Sequence, residues 1–353
     1  MGFDIDASVS ESVFEGRTSV KKLINRPGDE VREMLEGMVL AYPEIIRKIP
    51  DWNTLVRTEA PKGDRVALVS GGGSGHEPAH AGYVGKGMLN AACCGEVFTS
   101  PSVPQVLSAI KAVNGSAGTL LIIKNYSGDV MNFRTAALLA RSSGIKIDWV
   151  IVNDDVAIDK PELRRGIAGT VCVHKCAGAK AEEGATLEEV RAVAQKVIAN
   201  VRSMGCAITP CIVPRVGIPS FELGPDEMEL GTGIHGERGV KQVKMMTVDE
   251  IADILTNACA KDLSLQSGDE VAVLAQGNGG TPYMEKLIFY RRVHRNLTEK
   301  GVKIQTSWIG EFMSSLEMAG ASVTLLKLDE ELKRLLTAPS ETIAIKQPGP
   351  VLF

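Results

Sequence analysis

Two of the chain's five histidines, His76 and His235, lie inside glycine-rich segments. His76 belongs to Gly71–Pro78 (GGGSGHEP), and His235 belongs to Gly231–Gly239 (GTGIHGERG). Because glycine has no Cβ and tolerates positive φ, the backbone N–H groups of such segments can approach a ligand closely. Imidazole is largely neutral near pH 7, where it acts as a nucleophile or as an acid–base group. Both histidines are therefore candidate catalytic residues.

A further polar cluster, Lys124–Asp129 (KNYSGD), follows the apolar run Thr119–Ile123. In α/β sheets, ligands bind at the carboxyl ends of the strands, so this position favours a binding role for both charged residues. Two interpretations stay open. Lys124 is either a ligand-binding cation or a solvated strand end, and Asp129 is a functional carboxylate, the cap of a helix over Met131–Arg141, or both.

The other histidines and the cysteines favour structural roles. His80, four positions after the first candidate, can share a helical face with it as a metal pair, but no third ligand is evident. His174 alternates with Cys172 and Cys176 in a predicted strand, which is typical of a packed core. His294 is expected on the surface. An odd number of cysteines, seven, without a secretion signal or a CxxC pair indicates the reduced thiols of a cytoplasmic protein.

Composition and spacing exclude several classes of function. The 353 residues include 39 Lys+Arg and 43 Asp+Glu, a net charge of −4, which argues against a nucleic-acid partner. The apolar runs fall short of the roughly 18 residues that a membrane span needs, and the acidic N-terminus is no signal peptide. The glycine segments lack the lysine of a P-loop. His76 takes the last position of a dinucleotide-binding fingerprint, so a nicotinamide-dependent oxidoreductase is disfavoured.

The strands and helices that must position these residues alternate along the chain. This order predicts an α/β protein with two α/β domains, each a sheet flanked by helices. An internal sequence similarity supports two domains, because Gly63–Gly75 and Gly268–Gly280 both have the pattern of a turn, a buried strand and a glycine-rich segment. We expect a polar extension over residues 1–20, a first domain over 21–205 and a second over 206–353.

Capping boxes predict two helix starts, at Thr186 and at Thr247, with Gly205 ending the first of these helices. Alternating or continuous apolar runs predict the strands Arg65–Ser70, Thr119–Ile123, Trp149–Asn153, Thr170–His174, Ala207–Val213, Glu270–Gln276, Val302–Trp308 and Ser322–Leu328.

Six motifs in order resemble the substrate-binding subunit of the dihydroxyacetone kinase family. They are Gly71–Pro78 (GGGSGHEP), Glu96–Pro101 (EVFTSP), Lys124–Asp129 (KNYSGD), Asn153–Val156 (NDDV), Arg164–Gly166 (RRG) and Gly233–Glu237 (GIHGE). The likeness extends from Lys21–Asn25 (KKLIN) to Glu311–Leu328 (EFMSSLEMAGASVTLLKL), which is nearly the whole chain.

The resemblance implies a homodimer that binds a short ketose. By this likeness, the ring nitrogen of His235 adds to the substrate carbonyl as a covalent hemiaminal. His76 and Asp129 would be the acid–base partners that deprotonate the hydroxyl taking the phosphate. Backbone groups around Gly73, Ser74 and Gly75, with His76 and the Lys124 side chain, would hold the substrate oxygens. A bond that forms only with a carbonyl discriminates against glycerol.

The resemblance also implies a partner, because phosphoryl transfer needs a donor and usually Mg²⁺. The chain is expected to carry no cofactor or metal of its own. It resembles the separate subunit, which docks a partner carrying a Mg–nucleotide (ADP or ATP), recharged in many bacteria by a phosphotransferase-system protein.

Because the chain departs from the family pattern, the sequence does not determine which ketose it binds. Arg238 stands where the GIHGE loop usually continues with proline. It would depress the pKa of His235 or contact a phosphate. Dihydroxyacetone and erythrulose both remain candidates. The main alternative is a non-catalytic ketose-sensing co-regulator of a transcription factor; retention of His76, Asp129 and His235 together favours catalysis.

Overall fold

The structure is a computed structural model that describes residues 21–60 and 63–348. The predicted extension over residues 1–20 lies outside the described residues. Within them, no helix is both long enough and apolar enough to cross a bilayer.

The first sheet has six strands with a parallel centre. Its order is β1-β2-β5-β3-β6-β7, in which β5, β3, β6 and β7 run parallel and β1 and β2 pair antiparallel at one edge. The strands are β1 Ile46–Lys48, β2 Thr54–Arg57, β3 Ala67–Ser74, β5 Ala91–Val97, β6 Thr119–Lys124 and β7 Ile147–Val152. We call residues before Val201 the first part of the chain and those from Val201 onward the second part. The helices of the first part are α1 Glu30–Ala41, α2 Val103–Val113, α3 Ser127–Ser142, α4 Gly169–Glu182 and α5 Leu187–Asn200.

Strand β6 shows why the centre of this sheet is apolar on both faces. Leu121 and Ile123 pack with α2 and α3. Leu120 and Ile122, on the opposite face, pack with α4 and α5. A parallel sheet covered by helices on both faces buries every residue of such a strand, which explains the unbroken apolar run.

The second sheet is mainly antiparallel, with order β10-β9-β8-β13-β11-β12, and β11 and β12 form its parallel pair. Its strands are β8 Val201–Ala207, β9 Glu227–Leu230, β10 Lys241–Lys244, β11 Glu270–Gly277, β12 Lys303–Gly310 and β13 Gly320–Leu328. The helices α6 Val248–Asp262 and α7 Tyr283–Glu299 cover one face. The helix α8 Glu330–Thr337 packs on the other side, against α4.

The helix α4 lies in a layer between the two sheets. One apolar cluster joins Leu68 of β3 and Val171 of α4 to Leu274 of β11 and Leu326 of β13. The layers therefore run α2/α3, first sheet, α4/α5, second sheet, α6/α7. This stacking brings loops of both sheets together at one side, where the candidate residues lie.

A third, small sheet returns the last described residues to the first part of the chain. Its strands are β4 Gly85–Lys86, β14 Ser340–Thr342 and β15 Lys346–Gln347, in the order β15-β14-β4. The predicted boundary between residues 205 and 206 falls inside β8. Dividing the chain by its sheets would place the boundary before Val201 instead.

The α/β prediction is confirmed, and six predicted strands correspond to β3, β6, β7, β11, β12 and β13. Both capping boxes are present: the side chains of Thr186 and Thr247 accept hydrogen bonds from the N–H groups of Glu189 and Glu250. All seven cysteines, which lie within the described residues, are buried and free, as predicted for small core residues.

Two predicted strands are wrong. Thr170–His174 lies in helix α4, nearly every residue of which is buried, so its apolar side chains show no helical periodicity. Ala207–Val213 is displaced, because the strand there is β8 and ends at Ala207. Helix α5 ends at Asn200 and not near Gly205, which lies within β8.

Candidate active site

The candidate site begins where strand β3 separates from β6. Strand β3 pairs with β5 through Ser74, but its pairing with β6 ends at Val69 and Leu121. The Ser70 hydroxyl still donates to the Ile122 carbonyl at 2.7 Å, but beyond Val69 the two backbones no longer pair, at the carboxyl ends where α/β sheets bind ligands. The structure corrects the predicted boundary here, because β3 continues through the glycines to Ser74 and does not end at Ser70.

Glycines follow this point because neighbouring groups come very close. A Cβ on Gly72 would lie 2.7 Å from Lys124 Nζ, and a Cβ on Gly75 would lie 2.8 Å from the Phe98 ring. On the other side of the strand, Gly73 pairs with β5. The Ser74 hydroxyl donates to the Gly95 carbonyl at 2.7 Å.

Both backbone groups of Gly75 have partners within the chain. Its N–H donates to the Glu77 carboxylate at 3.1 Å, and its carbonyl accepts from the Leu316 N–H at 2.7 Å. The backbone edge that remains available to a ligand is therefore the β6 side of β3, beyond Val69, which includes Gly73.

His76 is fully buried, and its surroundings determine its tautomer. Its Nδ1 lies 2.9 Å from the Ser314 carbonyl oxygen, which can only accept, so Nδ1 carries the proton. Its Nε2 has no hydrogen-bond partner among the described residues. Burial, with the nearby Lys124 charge, lowers the pKa of His76 well below its usual value. His76 is therefore a neutral imidazole with an available lone pair.

Lys124 and Asp129 form a buried pair of opposite charges. The ammonium lies 3.8 Å from Asp129 Oδ2, and the two side chains are 0% and 2% exposed. Lys124 Nζ and Asp129 Oδ1 have no hydrogen-bond partner in the described part of the chain. Burial lowers the pKa of Lys124, and the Asp129 charge opposes that shift. A buried ammonium without acceptors is costly, so this pair is suited to binding the oxygens of a polar ligand.

These positions exclude the two structural alternatives that the sequence left open. Lys124 is not a solvated strand end, since it is completely buried. Asp129 lies in the first turn of α3, whereas the residue at the cap position of that helix is Tyr126.

His235 comes from the second part of the chain and is held by its neighbour Glu237. One Glu237 carboxylate oxygen accepts from the His235 backbone N–H at 2.9 Å, and the other lies 3.2 Å from His235 Nδ1. A carboxylate oxygen can only accept a hydrogen bond, so the neutral ring carries its proton on Nδ1. Its Nε2 then has no hydrogen and keeps a free lone pair. Burial opposes ionisation of Glu237, but its contacts with His235 and the Arg165 charge lower its pKa to about 2.

The loop that carries His235 is anchored by Arg165 of the RRG motif. The Arg165 guanidinium donates to Asp155 Oδ2 and to the Gly231 carbonyl, each at 2.7 Å. Arg238 is exposed and forms no hydrogen bond or ion pair with His235 in the described structure. The charged group that contacts His235 is therefore the Glu237 carboxylate and not Arg238.

The two candidate imidazoles meet, although 158 positions separate His76 from His235 in the chain. Their ring centroids lie 4.7 Å apart, with the rings nearly perpendicular. Two aromatic residues complete the contact: Phe98 stacks on His76 at 5.1 Å, and Tyr126 meets His235 edge to face at 4.5 Å.

Four residues of this site were not predicted individually: Phe98, Tyr126, Glu237 and Ser314. Three of them belong to quoted motifs, EVFTSP, KNYSGD and GIHGE, which were the available signal. Ser314 acts through its backbone carbonyl, and the residue type gives no signal for that.

The remaining histidines take other places. His80 does not pair with His76; its Nδ1 lies 3.0 Å from His174 Nε2, and both rings are buried. His294 is exposed, as expected. Among residues 21–60 and 63–348, no group of three or more His, Cys, Asp or Glu side chains is arranged to hold a metal ion.

Comparison with known proteins gives consistent matches. The Dak1 domain matches residues 36–344. The chain is 49% identical over 329 residues to the dihydroxyacetone-binding subunit DhaK of a PTS-dependent dihydroxyacetone kinase from Listeria innocua, covering 92% of this chain and 100% of that one.

Two solved structures have the same fold. The dihydroxyacetone kinase of C. freundii, in complex with AMP-PNP and Mg²⁺, superimposes with a TM-score of 0.86 at 35% identity, covering 94% of this chain and 62% of that one. The dihydroxyacetone kinase operon co-activator Dha-DhaQ superimposes with a TM-score of 0.85 at 35% identity, covering 90% and 98%. The matched domain spans most of the sequence, and the relatives include the subunit type that the six motifs predicted. The chain therefore belongs to the Dak1 domain family, as a DhaK-type subunit.

Proposed function

We propose that this chain is the ketose-binding catalytic subunit of a dihydroxyacetone-type kinase, a phosphotransferase. It binds dihydroxyacetone, or erythrulose as the longer candidate, as a hemiaminal on His235. One observation carries this proposal: His76 and His235 lie 4.7 Å apart, and each ring has its Nδ1 against an acceptor, which leaves both Nε2 lone pairs available. The buried pair of Lys124 and Asp129 lies beside His76.

The first step is addition of His235 to the ketose carbonyl. The Nε2 lone pair forms the bond to C2, the π electrons of the carbonyl move to its oxygen, and that oxygen takes up a proton to become a hydroxyl. The imidazole ring bears the positive charge until Nδ1 gives its proton by way of the Glu237 carboxylate to solvent, which balances the proton that the oxygen takes from solvent. The Glu237 carboxylate, 3.2 Å from Nδ1, stabilises that charge. Glycerol has no carbonyl, so it cannot form this bond.

The second step is transfer of a phosphoryl group to the terminal hydroxyl of the bound ketose. In phosphoryl transfer, most of the catalysis comes from positioning and electrostatic stabilisation, and the covalent attachment provides the positioning. Two groups are candidates to take the hydroxyl proton: His76, through its bare Nε2, and the Asp129 carboxylate. The Lys124 ammonium and the open backbone edge at Gly73 would hold the substrate oxygens.

The phosphoryl donor in this proposal is a nucleotide with Mg²⁺ on a partner subunit, recharged by a phosphotransferase-system protein. The Listeria innocua relative, which the match covers completely, is named as PTS-dependent. The C. freundii structure contains AMP-PNP and Mg²⁺. A homodimer is also proposed, and sedimentation measurements would test it.

The similarity to the co-activator Dha-DhaQ supports a second candidate function, a ketose sensor that contacts a transcription factor. The described site favours catalysis. A sensor needs the group that binds the ketose, but it does not need a buried base with an available lone pair such as His76.

The test has two parts. Dihydroxyacetone labelled with ¹³C at C2 reports the adduct, because its C2 resonance leaves the carbonyl region when the hemiaminal forms. Formation of dihydroxyacetone phosphate is then measured with a nucleotide-binding kinase subunit and its donor. We expect His76→Ala and Asp129→Ala to bind the ketose but to lose turnover, and the exposed control His294→Ala to match the wild type. A wild-type chain that forms the adduct but never the phosphate would favour the sensor.

A further inference from the structure

The His235 ring contacts three other rings, and the proposed chemistry uses only one of them. His76 lies at 4.7 Å between centroids, Tyr126 at 4.5 Å and Phe98 at 5.4 Å. All three contacts are close to perpendicular, between 77° and 89°. Perpendicular aromatic pairs at these distances are attractive, and they favour one orientation of each ring. We call Phe98 and Tyr126 together the aromatic clamp.

The local backbone is built to place Phe98 in the clamp. Phe98 follows β5 with a φ of +55°, a left-handed conformation that a bulky residue rarely adopts. Its N–H donates to the Ser74 carbonyl at 2.9 Å. A Cβ on Gly73 would lie 2.7 Å from the Phe98 backbone, and one on Gly75 would lie 2.8 Å from its ring. Gly73 in β3 and Gly75 just after it therefore make room for Phe98, which then stacks on His76.

Tyr126 reaches the clamp from the other side. It is the residue before helix α3, two positions after Lys124, and the Lys124 ammonium lies 5.2 Å from the centroid of its ring. The ring thus lies close to both a buried cation and the His235 imidazole. Its hydroxyl is buried without a hydrogen-bond partner in the described residues, so no bond through that hydroxyl explains the position of the ring.

We infer that Phe98 and Tyr126 are positioning residues for His235, whose rings hold the imidazole in the orientation that directs Nε2 at the ketose carbonyl. This inference rests on the proposed function. Glu237 fixes which nitrogen of His235 bears the proton, and the clamp fixes where the ring lies. Neither aromatic residue forms or breaks a bond in the reaction. The ring, and not the hydroxyl, is the part of Tyr126 that acts.

The test compares Tyr126→Phe, Tyr126→Leu and Phe98→Leu with the wild type in the ¹³C adduct assay with dihydroxyacetone. The matched control is Tyr290→Leu, because Tyr290 and His294 form a perpendicular ring pair outside the site, at 6.0 Å. Loss of one aromatic pair should lower the adduct equilibrium constant about two- to tenfold in each clamp leucine variant. We expect Tyr126→Phe to keep the wild-type constant, and Tyr290→Leu to leave it unchanged.

A second measurement needs no ketose and therefore separates failure of the inference from failure of the proposed function. Nuclear Overhauser contacts between the rings of His76 and His235 should be present in the free wild type and in Tyr126→Phe, and lost in both clamp leucine variants. If the wild type forms no adduct but shows this pattern, the proposed function fails and the clamp stands. The clamp is refuted if Tyr126→Phe is as impaired as Tyr126→Leu, or if both leucine variants keep the ring contacts.

Discussion

Replacing Glu237 by glutamine probes how the site activates His235. The carboxylate contacts the His235 backbone N–H at 2.9 Å and Nδ1 at 3.2 Å, and both contacts require an acceptor. Glutamine has nearly the same shape but offers one acceptor and one donor. In Glu237→Gln, either one contact becomes repulsive, or the amide donates to Nδ1 and moves the ring proton to Nε2. In the second case the nucleophilic lone pair is lost.

The size of the effect follows from the geometry and the exposure of the pair. A hydrogen bond that involves a charged group contributes about 1.5–3 kcal/mol. The Glu237 side chain is 37% exposed, so solvent screening places the loss toward the lower end of that range. We therefore expect the adduct equilibrium constant for dihydroxyacetone to fall about tenfold in Glu237→Gln.

The ¹³C adduct assay measures this directly as a titration with dihydroxyacetone. The matched control is Glu222→Gln, which makes the same chemical change at an exposed position of the second part of the chain. Because the pKa of Glu237 is about 2, the carboxylate stays charged as the pH is lowered from about 8 to about 5, and the ratio between wild type and variant should hold. If Glu237→Gln binds dihydroxyacetone as tightly as the wild type, Glu237 does not set the state of His235.

Three further predictions concern the surroundings of the site. In Gly72→Ala, the new Cβ would lie 2.7 Å from Lys124 Nζ, so overpacking should cost about 1–3 kcal/mol in urea unfolding and weaken dihydroxyacetone binding; unchanged binding would contradict the close approach. Arg165→Met leaves the buried Asp155 carboxylate with the Ala157 N–H but without its charged partner, which should lower the free energy of unfolding by about 3 kcal/mol and weaken the adduct; a loss below about 1 kcal/mol would refute the anchoring role. Burial lowers the pKa of His174 to about 3, so the unfolded chain binds this proton first and stability should fall as the pH drops below about 6.5, by about 2 kcal/mol at pH 5; a denaturation profile of His174→Gln as steep as that of the wild type would exclude this group as the cause.

Helices and strands whose signals lie within a few neighbouring residues could be predicted from the sequence. The capping boxes at Thr186 and Thr247 begin helices because their hydrogen bonds involve residues three positions apart. The apolar run Thr119–Ile123 is a strand because both faces of a covered parallel sheet are apolar. Lys124 and Asp129 could be placed near the candidate site because strand ends of such a sheet meet at one edge.

Features set by distant parts of the chain could not be predicted. Thr170–His174 reads as a strand, yet it is a helix between two sheets, and burial on every side removes the polar face that would reveal a helix. The glycines after Ser70 read as a loop, but they continue β3, because their lack of side chains serves the close approach of Lys124 and Phe98. Ser314 contributes a backbone carbonyl, which any residue type could supply.

The charged group that contacts His235 could not be predicted from the sequence either. Arg238 is adjacent in sequence to the GIHGE motif, so the residue pattern favoured a cation near the imidazole. The loop folds so that Glu237 contacts the ring while Arg238 is exposed. Proximity along the chain does not determine which side chain of a loop turns toward the site.

The central claim is a covalent bond between His235 and the ketose, and one measurement addresses it most directly. The chain labelled with ¹⁵N-histidine is mixed with dihydroxyacetone labelled with ¹³C at C2, and one-bond coupling between the two labels is sought. A tetrahedral C2 coupled to the Nε2 of His235, absent in His235→Ala, is the predicted result. A bound ketose whose C2 remains a carbonyl, with no coupling to any histidine nitrogen, would contradict the account.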